Sequence, residues 1–178
     1  MRGLAGLLAL FGLGTAQAAE PAVGQEAPGF RLHDQGDAIR ALADYRGRWV
    51  VLYFYPKDDT PGCTTEACSF RDAITAIAAL NTQVLGVSVD DSASHARFAQ
   101  KYRLPFPLLA DGDGQVARAY GALWSLGPMK IARRHSFIVD PDGKIAKIYR
   151  AVDADRHSRE VQDDLKALQK NWKRESGH

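Results

Sequence analysis

The chain holds two cysteines, five residues apart, in Pro56-Lys-Asp-Asp-Thr60-Pro-Gly-Cys63-Thr-Thr-Glu-Ala-Cys68. Such a pair could serve as a structural cross-link, as part of a metal site, or in reversible oxidation. Local signals put both on one helix. Thr60 at the N-cap and Pro61 at the first helical position form a favoured helix start, and Ala67, Phe70, Ile74 and Ile77 then recur at helical spacing. Cys63 falls in the first turn, where unpaired backbone N–H groups and the helix dipole favour an anion and so a thiolate. Four residues before Ala67, it also lies on the apolar stripe that faces the interior. It is a candidate nucleophile, and on position alone it reads equally as a buried structural cysteine.

Cys68 adds a geometric constraint. In a continuous helix its Cα lies about 8.7 Å from that of Cys63 and roughly 140° around the axis, whereas a disulfide needs Cα atoms within about 7 Å. The pair cannot bond while the helix is intact. A bond that forms after the first turns melt suits a redox cycle and not a structural staple. Thiolates on different helical faces make a poor chelate, and none of His33, His95, His135, His157 or His178 shows ligand spacing to them.

The elements that must position these thiols alternate between strand and helix. Trp49–Tyr55 is a seven-residue apolar and aromatic run, as expected of a strand buried on both faces. Val84–Val89, Pro107–Ala110 and Ser136–Val139 read as further strands, and the Asp140-Pro-Asp-Gly143 turn joins the last to Lys144–Tyr149 in a hairpin. Phe98 and Tyr102 mark a second helix, and Val161, Leu165, Leu168 and Trp172 line one face of a third. This order predicts an α/β fold with a central mixed sheet and helices on both faces. At 178 residues, 46% hydrophobic and 25% charged, the chain is one globular domain without repeats. Its 23 basic and 21 acidic residues are interspersed, which argues against a nucleic-acid partner.

Residues 1–18 are read separately. Arg2 precedes an apolar stretch that ends in Ala16-Gln17-Ala18, the layout of a secretory signal peptide cleaved after Ala18. The alternative is an uncleaved membrane anchor, for which the stretch is short. Removing this segment takes away Arg2 and no acid, leaving 22 basic and 21 acidic side chains in a domain of residues 19–178. The expected location is periplasmic or secreted, where thiols tend to be oxidised.

Pro56-x-x-x-Thr60-x-x-Cys63 resembles the peroxiredoxin active-site motif, and Thr60-Pro-Gly-Cys-Thr-x-x-x-Cys68 resembles its bacterioferritin-comigratory, or Q-type, subfamily. Gly24–Phe30, Arg97–Tyr102 and Arg134–Asp140 carry the likeness across the rest of the chain. The resemblance implies a thioredoxin-like fold and reduction of hydrogen peroxide and organic hydroperoxides without haem, metal or other cofactor. It further implies that Cys63 is the peroxidatic cysteine and Cys68 the resolving one. Thr60 would orient the thiolate and peroxide, Pro56 would shield the pocket, and Arg134 would hold the thiolate. Strand alternation turns neighbouring Arg133 to the opposite face. Glu66 and Arg71 also match subfamily positions, although a solvated helix face accounts for them equally. The reductant implied is thioredoxin or a thioredoxin-like protein, and the protein a monomer, with both cysteines in one chain. The alternative class is a thioredoxin-like thiol:disulfide carrier, against which the spacing of the cysteines and Thr60 both count.

Overall fold

The computed structural model describes residues 20–176, so the expected signal peptide lies outside the described residues. The elements in chain order are β1 (Arg31–Asp34), β2 (Ile39–Ala41), a 3-10 turn (Leu42–Tyr45), β3 (Trp49–Phe54), α1 (Pro61–Ala78), β4 (Thr82–Ser88), α2 (Ser92–Tyr102), β5 (Leu108–Ala110), α3 (Gln115–Ala119), β6 (Leu123–Leu126), β7 (Met129–Ala132), β8 (Ser136–Val139), β9 (Ile145–Tyr149) and α4 (His157–Ser176). Seven strands form one sheet in the order β2-β1-β5-β4-β3-β8-β9. The β3–β4 and β4–β5 pairs are parallel, with α1 and α2 as their crossovers, and the remaining pairs are antiparallel. The mixed sheet expected from the sequence is therefore present.

Strand β3 is the centre of the molecule because every residue in it is buried. Its side chains alternate between faces, and each face owns a core. Val50, Leu52 and Phe54 pack with Tyr45, Tyr120 and Phe137 under the 3-10 turn and α3. Trp49, Val51, Tyr53 and the following Tyr55 pack under the three long helices, meeting Cys63, Ala67, Phe70 and Ile77 of α1, Phe98 of α2, and Val161 and Leu165 of α4. Helices thus cover both faces unequally. The antiparallel pair β1–β2, the separate ribbon β6–β7 and the short α3 join the elements expected from the sequence.

Close packing behind the site depends on one glycine. A Cβ on Gly86 of β4 would come within 2.8 Å of Leu108 Cδ2 and of the Tyr53 ring and hydroxyl. The bare backbone there lets the Tyr53 ring lie across β4 and stack on Phe70, with ring centroids 5.0 Å apart. Gly86→Ala should cost roughly 1–3 kcal/mol through overpacking, read as a lower urea midpoint. An unchanged midpoint would mean that the Tyr53 ring has room to move aside.

Candidate active site

The site begins where β3 ends. Residues 56–60 form a loop, and α1 starts as expected, with extended Thr60 at the N-cap and Pro61 as the first helical residue. The Thr60 carbonyl accepts from the Thr64 amide at 2.8 Å. Its hydroxyl does not cap the helix. It donates to the Lys57 carbonyl at 3.0 Å, so the side chain tightens the loop instead. Pro56 opens this loop and is half-buried.

Two side chains of the loop tie it to α2. Asp58 is buried, accepting from the Tyr55 hydroxyl at 2.7 Å and the Ser94 hydroxyl at 2.8 Å, with His95 Nδ1 also at 2.8 Å. Burial works against its charge, but the bonds from His95, Tyr55 and Ser94 outweigh it and hold the carboxyl below its ordinary range. Asp59 takes a left-handed backbone, φ 57°, and accepts from Lys101 Nζ at 2.7 Å and the Tyr102 hydroxyl at 2.7 Å. Sequence reasoning assigned nothing to Asp58, Asp59, Ser94 or His95. The available signal was a pair of adjacent acids inside a loop otherwise built for a turn.

Cys63 lies in the first turn of α1 and is only 1% exposed. Arg134 Nη2 donates to its sulfur at 3.3 Å, and Arg134 Nη1 donates to Glu66 Oε2. Gly62 leaves space for this guanidinium, since a Cβ there would stand 3.2 Å from Nη2. Arg134 belongs to the connection between β7 and β8, not to a strand. Alternation therefore does not separate the two arginines, contrary to expectation. Arg133 is exposed and its amide donates to the Ala122 carbonyl, which leaves Arg134 to turn inward.

Glu66 is a second correction. It is fully buried, not on a solvated face, and its Oε1 has no hydrogen-bond partner among the described residues. Burial pushes its carboxyl up to about 7 against the pull of Arg134. Burial also works against the charge of Arg134, but Glu66 and the Cys63 thiol hold the guanidinium protonated. Nearby His157 bonds Ser136 Oγ through Nε2 at 2.8 Å. Burial and then the charge of Arg134 push it down to about 4, so it is neutral. Burial, with Glu66 next, keeps the Tyr53 phenol protonated.

Cys68 is half-exposed further along α1, and both thiols are free. The structure thus brings Cys63, Arg134 and Glu66 together, with Thr60 and Pro56 in the adjoining loop and Cys68 apart. Among the described residues no three His, Cys, Asp or Glu side chains converge to hold a metal.

A buried thiol at a helix N-terminus, held by a guanidinium at the end of a central parallel strand, defines a thioredoxin-fold protein whose chemistry is carried by cysteine. The chain belongs to the AhpC/TSA family, whose sequence pattern matches residues 23–148, and within it to the Bcp/Q-type peroxiredoxins. It is 41% identical over 153 residues to peroxiredoxin Bcp of Bacillus subtilis (strain 168), covering 82% of this chain and 96% of that one. To a putative peroxiredoxin bcp of Coxiella burnetii it is 43% identical over 143 residues, 78% and 95% of the two chains. Among solved structures, peroxidoxin BcpB from Mycobacterium tuberculosis superposes with a TM-score of 0.79 at 33% identity, covering 83% of this chain and 98% of that one.

The Glu66 carboxyl ordinarily titrates near 4.5 and here does so near 7. Between those values the folded chain binds more protons than the unfolded one, so stability falls as pH rises across the window. Glu66→Gln removes that loss. The melting temperature of the variant relative to wild type should climb between about pH 5 and about pH 8. A difference that stays flat across this range would show that Glu66 is ionised throughout.

Proposed function

We propose that Cys63 is the peroxidatic thiol of this chain and Cys68 its resolving thiol. The chain is a peroxidase, and reduction of peroxides by a thiol with a thioredoxin-type reductant is the reaction of its family. The observation that carries the residue assignment is the bond from Arg134 to a buried sulfur at a helix start. A guanidinium there is placed to balance negative charge at the sulfur that attacks peroxide.

The thiolate sulfur attacks the distal oxygen of R–O–O–H, the O–O bond breaks, and the leaving hydroxide or alkoxide takes a proton to become water or an alcohol. Arg134 Nη2 is the donor placed to stabilise charge as it moves from sulfur to oxygen. Cys63 is left as a sulfenic acid. The Cys68 thiolate then attacks that sulfur, hydroxide leaves and is protonated to water, and the Cys63–Cys68 disulfide forms. A thioredoxin-like dithiol reduces it by exchange. In this reading Thr60 and Pro56 shape the pocket mouth, since both belong to the loop that leads into α1. The layout of residues 1–18 supports export and cleavage after Ala18, and with both cysteines in one chain the protein acts as a monomer.

Cys63→Ser should abolish peroxide turnover. Cys68→Ser should still form a sulfenic acid, trapped as a dimedone adduct, but no internal disulfide. Turnover by Cys63→Ser with a thioredoxin donor would move the nucleophile elsewhere.

Because the helix holds the sulfurs apart, oxidation must unwind α1 from Thr60 to near Cys68. That loses several backbone hydrogen bonds, each worth roughly 1 kcal/mol. The oxidised protein should show less helix by far-UV circular dichroism and melt at a lower temperature than the reduced one. Equal helix content with a higher melting temperature would make the cross-link structural.

A further inference from the structure

The resolving step needs a second thiolate, and Cys68 lies outside the reach that Arg134 gives Cys63. Three residues on, and so beside Cys68 on the helix surface, Arg71 is held in one place. Its Nη1 donates to the Tyr102 carbonyl at the end of α2 at 2.9 Å, and its Nε donates to Asp72 Oδ1 at 2.8 Å. Its side chain is 33% exposed, so it does not lie on an open solvated face. The guanidinium also interacts electrostatically with the Cys68 thiol. Of the other charged groups on this side, Asp72 is taken up by Arg71 itself, and Lys101 of α2 by Asp59. On the α4 side the neighbour is neutral, where Ser69 and Ser158 share a hydrogen bond of 2.6 Å.

The anchor also sets where unwinding stops. Asp59 fastens the chain before α1 to Lys101 and Tyr102, and Arg71 fastens α1 itself to the Tyr102 carbonyl. Both ends of the segment that must open are pinned to the last turn of α2. Cys63 lies within the segment, whereas Cys68 sits at the edge of the pinned part. Once the turns before it melt, Cys68 stands near a new helix N-terminus, a position that also favours an anion.

We propose that Arg71 is a positioning residue for the resolving step: anchored on the Tyr102 carbonyl, its guanidinium keeps Cys68 in place as the attacking thiolate while residues 60–67 unwind and deliver the Cys63 sulfenic acid. The inference rests on the roles given to Cys63 and Cys68 above. The step is the one already balanced: the Cys68 sulfur bonds the Cys63 sulfur, hydroxide leaves, and a proton completes water.

Rapid-quench mixing of the reduced mature protein with hydrogen peroxide separates the two events. The dimedone adduct of Cys63 reports oxidation, and loss of alkylatable Cys68 reports disulfide formation. Arg71→Gln should oxidise at the wild-type rate but form the disulfide on the order of tenfold more slowly, because the anchored guanidinium that faces the attacking sulfur is gone. Arg71→Lys should restore most of the rate, and millimolar guanidinium should accelerate Arg71→Ala. A wild-type or faster disulfide step in Arg71→Gln would overturn the proposal. So would equal slowing by Gln and Lys without guanidinium rescue, since that pattern marks a structural role. If the wild-type protein forms no Cys63–Cys68 disulfide, the underlying roles fail and that of Arg71 falls with them.

Discussion

A half-buried positive charge organises this site. Arg134 must bring its guanidinium out of water to reach the Cys63 sulfur, and a charge moved into a protein needs compensation close by. Glu66 supplies it from one turn further along the helix that carries Cys63. One cation thus serves both the Cys63 sulfur and the Glu66 carboxyl. The neighbours are consistent with that arrangement. His157 is neutral and Tyr53 stays protonated, so neither adds a charge to the balance.

Around this centre, α2 acts as the frame. It makes no contact with Cys63 that the reaction needs, yet Ser94 and His95 hold Asp58, and Lys101 and Tyr102 hold Asp59. The loop that presents the thiol is therefore fixed from the side, through two carboxylates, as well as by its own Thr60–Lys57 bond. That fits the left-handed backbone of Asp59, a conformation with a cost for a non-glycine residue.

How much of this could be read in advance depended on where each residue finds its partner. Trp49–Phe54 was legible because a strand buried on both faces has an unbroken apolar sequence. The start of α1 was legible from Thr60 and Pro61, which act locally. Glu66 was not: on a helix a glutamate reads as surface, and its burial depends on Arg134, 68 positions away. Arg134 was identified by its motif, whereas the alternation argument failed because the chain there is not a strand. The β1–β2 hairpin went unread since its strands are short and mix polar with apolar residues, with little periodicity to see. Ribbon β6–β7 shows Trp124, Leu126 and Met129 to solvent and so inverts the usual signal.

The division of the interior into two cores has a mechanical meaning. In the proposed cycle, everything that must loosen belongs to one side of the sheet, where Cys63, Ala67 and Phe70 pack. Behind β3, the cluster of Phe54, Tyr120 and Phe137 shares none of those side chains. The sheet works as a bulkhead. On that reading one compartment is breached and resealed at every turnover while the other keeps the chain from proceeding to global unfolding, and partial disorder becomes a routine reaction step.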